Sequence, residues 1–199
     1  MNLLQAIRGR RAVRDFTSQS VSRDVLRQLV SAASWAPSAM NDQPWQFTVV
    51  TDSELLDEIS DRAKAWLLTH MPDLRRARHF RDLLADPDFH LFYRAPALVV
   101  IAVPADQQWA TEDCALAAQN LMLAAVEFGL GTCWIGFAQA WLASEEGRAL
   151  LGLGASQMVV APLAIGHPKA SPPPVPRKAV AVNWISPRAA KQQELCLQL

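Results

Sequence analysis

Apolar and polar residues follow two periods along the chain, and the switches between them mark the elements. Leu3, Leu4 and Ile7 share one side of a short amphipathic helix. Val25, Leu26, Leu29, Val30 and Ala33 repeat at the helical period behind Ser22, whose hydroxyl suits an N-cap. Residues 46–51 are rich in aromatic and β-branched side chains and predict a strand. Thr51-x-x-Glu54 has the form of a capping box, opening a helix that buries Leu55, Leu56, Ile59, Ala63, Trp66 and Leu67. Residues 97–103 are a continuous apolar run, as expected of a central strand covered on both faces. An alanine-rich helix over 111–128 follows, with Gly129 as its C′ residue. A strand over 132–137 comes next, in which Gly136 lets a neighbour approach the backbone. A short helix runs from Ser144 to about Gly152, and 157–166 is the last strand, where Pro162 predicts an edge position or a bulge. From residue 168 the chain leaves as an arm stiffened by prolines between Pro172 and Pro176. Periodicity fails between 68 and 92, a charged, irregular stretch holding one short basic helix bracketed by Met71-Pro72 and Asp86-Pro87.

Composition narrows the class. With 199 residues, 51% of them hydrophobic, the chain can bury a sizeable core as one domain over 1–199. Lysine plus arginine equals aspartate plus glutamate at 19 each, so charge makes no case for nucleic acid or an anionic membrane as partner. A local basic cluster at 8–14 is short enough to serve a single phosphate, while the one at 75–81 reads as a solvated helix face. Cys114, Cys133 and Cys196 lack paired spacing, which argues against a disulfide framework or zinc site and for a reducing, cytoplasmic setting. The N-terminus has no secretory pattern, and the helix over 111–128 carries Glu112, Asp113, Gln119, Asn120 and Glu127, so it reads as a core helix of a soluble protein. His70, His79 and His90 lie in the irregular stretch without a ligand partner at helical spacing, and no metal site is expected. Phe89, Phe92 and Tyr93 form an aromatic cluster there that suits either the core or stacking on an aromatic molecule. Gly152-Leu-Gly154 lacks the third glycine and the strand-to-helix placement of a dinucleotide loop.

The chemistry concentrates at residues 35–45. Pro37 and Pro44 fix φ and disfavour helix before them, so the segment is a shaped loop. Ser38, Asn41 and Gln43 on it both donate and accept, which suits a heteroaromatic edge or a polyol chain better than a metal. On residue types alone, a polar connection with Trp35 and Trp45 plugging the core is an equal reading. Three motifs taken together, Arg10-Arg11-x-x-Arg14, Ala36-Pro37-Ser38-x-x-Asn41-x-Gln43-Pro44-Trp45 and Gly129-Leu-Gly131-x-x-x-x-Gly136, resemble the FMN-dependent nitroreductase family, and the likeness extends over about residues 6–180.

The resemblance implies an α+β fold: a mixed, mainly antiparallel central sheet flanked by helices, in an intertwined homodimer with two FMN sites at the interface. Residues 68–92 would be the variable insert near the active site. The arm over 168–199, with Trp184, Ile185, Leu195 and Leu197, would wrap the partner subunit. FMN would be held by Arg10, Arg11, Ala12, Arg14, Ile135, Gly136 and Arg177 of one subunit, with Pro37, Ser38, Ala39 and Asn41 from the other. In that scheme Arg10 and Arg11 face the phosphate and ribityl end, as planar guanidiniums match phosphate oxygens. Arg14 meets the pyrimidine edge, where reduction leaves negative charge, and the Ile135 and Gly136 N–H groups point at N5 and O4. Arg177 returns to the phosphate, with Lys178 and Lys169 as alternatives. Ala12 departs from the serine the family often carries, so a hydroxyl contact there must be replaced. NADH or NADPH would be a transient donor, nitroaromatics or quinones the acceptors, the kinetics ping-pong, and no side chain an obligatory nucleophile or base. The alternatives are another flavoenzyme on the same fold, such as a dehydrogenase or dehalogenase, and a non-enzymatic FMN-binding or regulatory module.

Overall fold

Each face of one sheet is covered by helices, and the strand pattern explains why. The computed structural model describes residues 2–70 and 75–184; the side chains of 75–79, His79 among them, lie outside the description, as do Met71-Pro72, Ile185, Leu195, Cys196 and Leu197. The strands β1 (Gln46–Val50), β2 (Ala97–Pro104), β3 (Gly131–Trp134) and β4 (Gln157–Gly166) lie in the order β1-β2-β4-β3, all neighbours antiparallel. A parallel bridge from Ala12 to Thr132 adds the mixed element.

Along β2, Ala97, Val99, Ile101 and Val103 face one core, and Leu98, Val100 and Ala102 face the other. The first core is closed by α2 (Arg23–Ser34) and α5 (Ala110–Glu127), the second by α3 (Ser53–His70) and α6 (Gly136–Leu142). Period-two alternation disappears from the sequence because both faces are buried.

Local chemistry sets the helix ends. Helix α1 (Leu3–Gly9) opens with a capping box in which Asn2 Oδ1 accepts from Gln5 N at 2.9 Å and Gln5 Oε1 from Asn2 N at 3.0 Å. Ser22 caps α2 through Val25 N at 3.2 Å, as its position predicts. The cap of α3 falls one residue later than Thr51: Asp52 Oδ1 accepts from Leu55 N at 3.0 Å, so Glu54 sits in the first turn and not at the reciprocal position. Gly129, at φ 66°, ends α5 in a Schellman motif, with Gly129 N–H on Val126 O at 3.1 Å and Leu130 N–H on Ala125 O at 2.9 Å. The short helix α7 (Glu145–Leu150) is capped by Ser144. In the irregular stretch, α4 (Arg75–Ala85) is the basic helix.

Two expectations change. Residues 132–137 are not one strand: β3 ends at Trp134, and Gly136 opens α6. β4 is an inner strand despite Pro162. The Pro162 carbonyl accepts from Ile135 N at 2.8 Å, so its missing N–H faces the same side, just past the last β3 pair at Trp134–Leu163. The ladder with β2 loses no donor there: Pro162 pairs in register with Val100, and the register shift of that ladder falls at Val160, opposite Ile101 and Ala102, not at the proline.

Candidate functional site

Residues 10–17 lie across one end of the sheet. Val13 N–H donates to Thr132 O at 3.0 Å, Thr17 N–H to His167 O at 2.8 Å, and Lys169 N–H to Asp15 O at 3.1 Å. Val13 and Phe16 are buried beneath it, which turns the arginines outward. Two glycines make room: a Cβ on Gly131 would lie 2.4 Å from Val13 Cγ2, and one on Gly166 would lie 2.5 Å from Pro96 Cδ and 3.0 Å from Phe16 Cδ1. Neither glycine was singled out by the sequence reading, although Gly131 belongs to the Gly-x-Gly motif.

The arginines differ in what they hold. Arg11 donates through Nη1 to the carbonyls of Arg8 and Arg10, and through Nε to Pro173 O at 3.4 Å, so it caps the end of α1 and ties down the arm. Arg10 is half-buried and has no protein partner among the described residues. Arg10 and Arg11 line a cleft of ≈ 290 Å³ with Gly9, Gly131, Thr132 and Ser171, and among the described residues no carboxylate lines it. Arg14 is exposed and borders Tyr93 and Cys133. Burial pushes the Tyr93 phenol and the Cys133 thiol up, and the Arg14 cation opposes both shifts. Ala12 is exposed beside Thr132. Arg177 and Lys178 are exposed on the arm, whereas Lys169 pairs with Asp15 at 2.8 Å.

At the start of α6 the two N–H groups also differ. Ile135 N–H is engaged by Pro162 and its side chain is buried. Gly136 is exposed, an added Cβ would meet nothing within 4 Å, and its N–H, at the first helical position, has no intrahelical acceptor. Phe137 next to it meets Phe80 of α4 edge-to-face at 5.1 Å. Among the described residues no group of three His, Cys, Asp or Glu could hold a metal ion.

The loop over 35–45 stands away from the core. Trp35 is 84% exposed and Met40 91%, so Trp35 does not plug the interior, while Trp45 packs half-buried beside the α2–α5 core. Met40, Asn41 and Gln43 adopt left-handed φ of 52°, 59° and 48°, a local cost that persists only where surroundings impose it. Ser38 Oγ accepts from Gln43 N at 2.9 Å, Asn41 Oδ1 from Gln43 Nε2 at 3.3 Å, and Ala39 N–H donates to the buried Asp113 carboxylate at 3.0 Å. Pro37 is exposed and Ser38 and Ala39 half-buried. Asp113 lies in the first turn of α5, while the arginine cleft reaches Val126 near its last. At 1.5 Å per residue those points are roughly 20 Å apart along the helix.

A polar stripe on α3 escaped the sequence reading. Ser60 Oγ accepts from Leu91 N at 2.9 Å, and Lys64 Nζ donates to Asp86 O at 3.0 Å and Phe89 O at 2.6 Å, both side chains buried. Their helical spacing within an otherwise apolar face was the available signal. Phe92 is core, whereas Phe89 and Tyr93 are half-buried and meet edge-to-face at 5.9 Å.

Comparison with known proteins bears on this arrangement. A model of the Nitroreductase family matches residues 7–167. A nitrobenzene nitroreductase of Ectopseudomonas oleovorans is 32% identical over 194 residues, covering 80% of this chain and 84% of its own. A Bacteroides fragilis nitroreductase solved with bound FMN superposes with TM-score 0.78 at 30% identity, over 94% of this chain and 98% of the other. One from Desulfitobacterium hafniense, also with bound FMN, gives 0.80 at 28% identity, over 94% and 100%.

Proposed function

The chain belongs to the nitroreductase family, and from that premise we propose that it is an FMN-dependent NAD(P)H oxidoreductase reducing electron-poor acceptors such as nitroaromatics and quinones. The observation that carries the reading is a donor set without a counter-charge among the described residues: half-buried Arg10 beside a cleft that none of their carboxylates lines, exposed Arg14, and the open N–H of Gly136. That set fits FMN, which needs cations at a phosphate and at the ring's pyrimidine edge, and a donor at its central nitrogen. When bound, FMN would supply two-electron chemistry between a nicotinamide donor and the acceptor.

The chain's residues bind and orient. Arg10 and Arg177 neutralise the phosphate, Lys169 being engaged by Asp15. Arg11 keeps α1 and the arm in place and reaches the phosphate only if it gives up those carbonyls. Arg14 fixes positive charge at the ring edge. Gly136 donates to the ring, while Ile135 N–H, engaged by Pro162, shapes the turn that presents Gly136. The insert helix α4 borders this end through Phe80 and admits the acceptor.

Pro37, Ser38, Ala39 and Asn41 come from a second copy. They lie about 20 Å along α5 from the arginine cleft of their own chain, and two copies with antiparallel α5 helices bring the loop of one to the cleft of the other. Exposed apolar residues on α1, on α5 at Leu116 (45%) and on the arm at Trp184 (85%) favour such pairing. A cytoplasmic location suits the free Cys114 and Cys133; among the described residues no helix is long and apolar enough to cross a membrane.

The test is anaerobic mixing of FMN-loaded protein with NADH or NADPH, then addition of a nitroaromatic. Bleaching of the flavin band followed by recovery is expected. Flavin that binds and never bleaches with either donor overturns the reading.

A further inference from the structure

We propose that Asp113 is a positioning residue for the loop over 35–45, fastening it through Ala39 to the first turn of α5 in the place from which it meets FMN. The inference rests on the reading that this loop completes the flavin site of a second copy. Among the described residues, the hydrogen bonds of residues 37–43 close within the loop with a single exception. Ser38 Oγ accepts from Gln43 N, Asn41 Oδ1 from Gln43 Nε2, Ser38 O from Asn41 N at 3.1 Å, and Ala39 O from Asp42 N at 3.0 Å. The exception is Ala39 N–H, which donates to Asp113 Oδ1 at 3.0 Å across 74 positions of sequence. Internal bonds fix the loop's shape but not its place. The Asp113 bond is the polar tie that sets the place, and with the internal bonds it holds the left-handed Met40, Asn41 and Gln43.

Packing alone does not explain a carboxylate here. Asp113 is 6% exposed, and its neighbours on α5, Cys114, Ala117 and Ala118, are apolar and fully buried. A charge at that depth persists only where donors meet it. The first turn of α5 favours an anion through its N–H groups and dipole, and the Ala39 N–H adds a charge-assisted bond, stronger than a neutral one. The approach to the loop is held by the same helix: Asn120 Nδ2 donates to Ala32 O at 3.4 Å, near the end of α2. At its entry and at its middle the loop is thus fastened to α5. That is the helix which the proposed pairing sets against its counterpart, so a loop tied to its first turn keeps a constant distance from the arginine cleft of the other copy.

Hydrogen–deuterium exchange of the flavin-free protein, read by mass spectrometry on peptides spanning 36–44, measures the tie directly. Asp113→Ala is expected to speed exchange there by roughly tenfold or more, with the sheet unchanged. It should also raise the Kd for FMN, measured by quenching of flavin fluorescence, by roughly tenfold. Asp113→Asn, which keeps an oxygen at the δ position, should bring exchange and Kd back toward the parent. Asp113→Leu, which fills the space without an acceptor, should behave as Asp113→Ala does. Light scattering should give every variant the parent's mass. Parental exchange over 36–44 in Asp113→Ala and Asp113→Leu overturns the tie. Faster exchange with a parental Kd overturns the positioning role, as does a weaker Kd that Asp113→Asn fails to improve or that accompanies a change of mass. Parent protein that takes up no FMN overturns the flavin reading, and the exchange rates then decide the tie alone.

Discussion

Arg11 and Arg14 carry the same guanidinium three residues apart, yet the backbone turns one onto carbonyls and the other toward solvent. Arg11→Ala is therefore expected to act on stability, by about 1–2 kcal/mol for charge-assisted bonds at a half-buried site, read from urea unfolding. Arg14→Ala should leave stability and FMN retention near the parent's while lowering the flavin's potential and slowing hydride acceptance in stopped flow. His90 gives a pH prediction with a definite sign. Burial, the largest influence, and Arg94 lower its pKa below 6.5, against the opposing pull of Asp57 and Asp61. The unfolded chain thus takes up the proton first, so the contribution of neutral His90 is complete above about 6.5 and is lost as pH falls from there. Unfolding free energies measured from pH 7.5 down to 5 should fall more steeply for the parent than for His90→Asn. The arginine run was legible in the sequence as a basic cluster. Which arginine stays free was not, because the acceptors that engage Arg11 include Pro173, 162 positions away.

Elements show how close spacing rules come and where they slip. Asp52→Ala should cost about 0.5–2 kcal/mol as the loss of an N-cap, with Thr51→Ala close to neutral; equal effects in thermal unfolding would return the cap to Thr51. Gly131→Ala puts a methyl into Val13, an overpacking cost of about 1–3 kcal/mol. The displaced segment carries Arg10 and Arg14, so FMN retention through dialysis should fall with it. Gly129 was readable from the sequence, since a helix end in the left-handed conformation is a local matter. Gly131 was not, because its reason is Val13, more than a hundred residues earlier, crossing over β3. The same distance effect turned the predicted strand over 132–137 into β3 followed by α6: Ile135 bonds Pro162 once, and although β4 runs on to Gln157, its edge is met there by α6, whose Gln139 Nε2 donates to Val159 O at 3.2 Å.

At the scale of the molecule, the loop over 35–45 and the arginine cleft lie toward opposite ends of α5, and completing the proposed site calls for a second copy. Leu116→Glu places a charge on the exposed face of that helix and is expected to convert a dimer to a monomer in light-scattering measurements. FMN retention should be lost while far-ultraviolet circular dichroism is retained. A monomer that holds FMN as well as the parent would sink the shared-site arrangement. The small residues of α5 do not all serve such an interface: Ala117, Ala118 and Ala125 are fully buried against their own sheet, and outward contact is left to Ala115 and Leu116.

By itself the sequence determined the strands and most helices, the caps at Ser22 and Gly129, the two-sided burial of β2, and the family through three motifs in order. These follow from side-chain period, φ preference and short-range hydrogen bonding, which operate within a few residues. The tertiary structure decided what remains free for chemistry: Gly136 N–H but not Ile135 N–H, Arg10 but not Arg11, and Lys169 paired with Asp15. It also decided the inner position of β4. Each of these depends on a partner brought from far along the chain, and a donor is available to a ligand only when no such partner has reached it first.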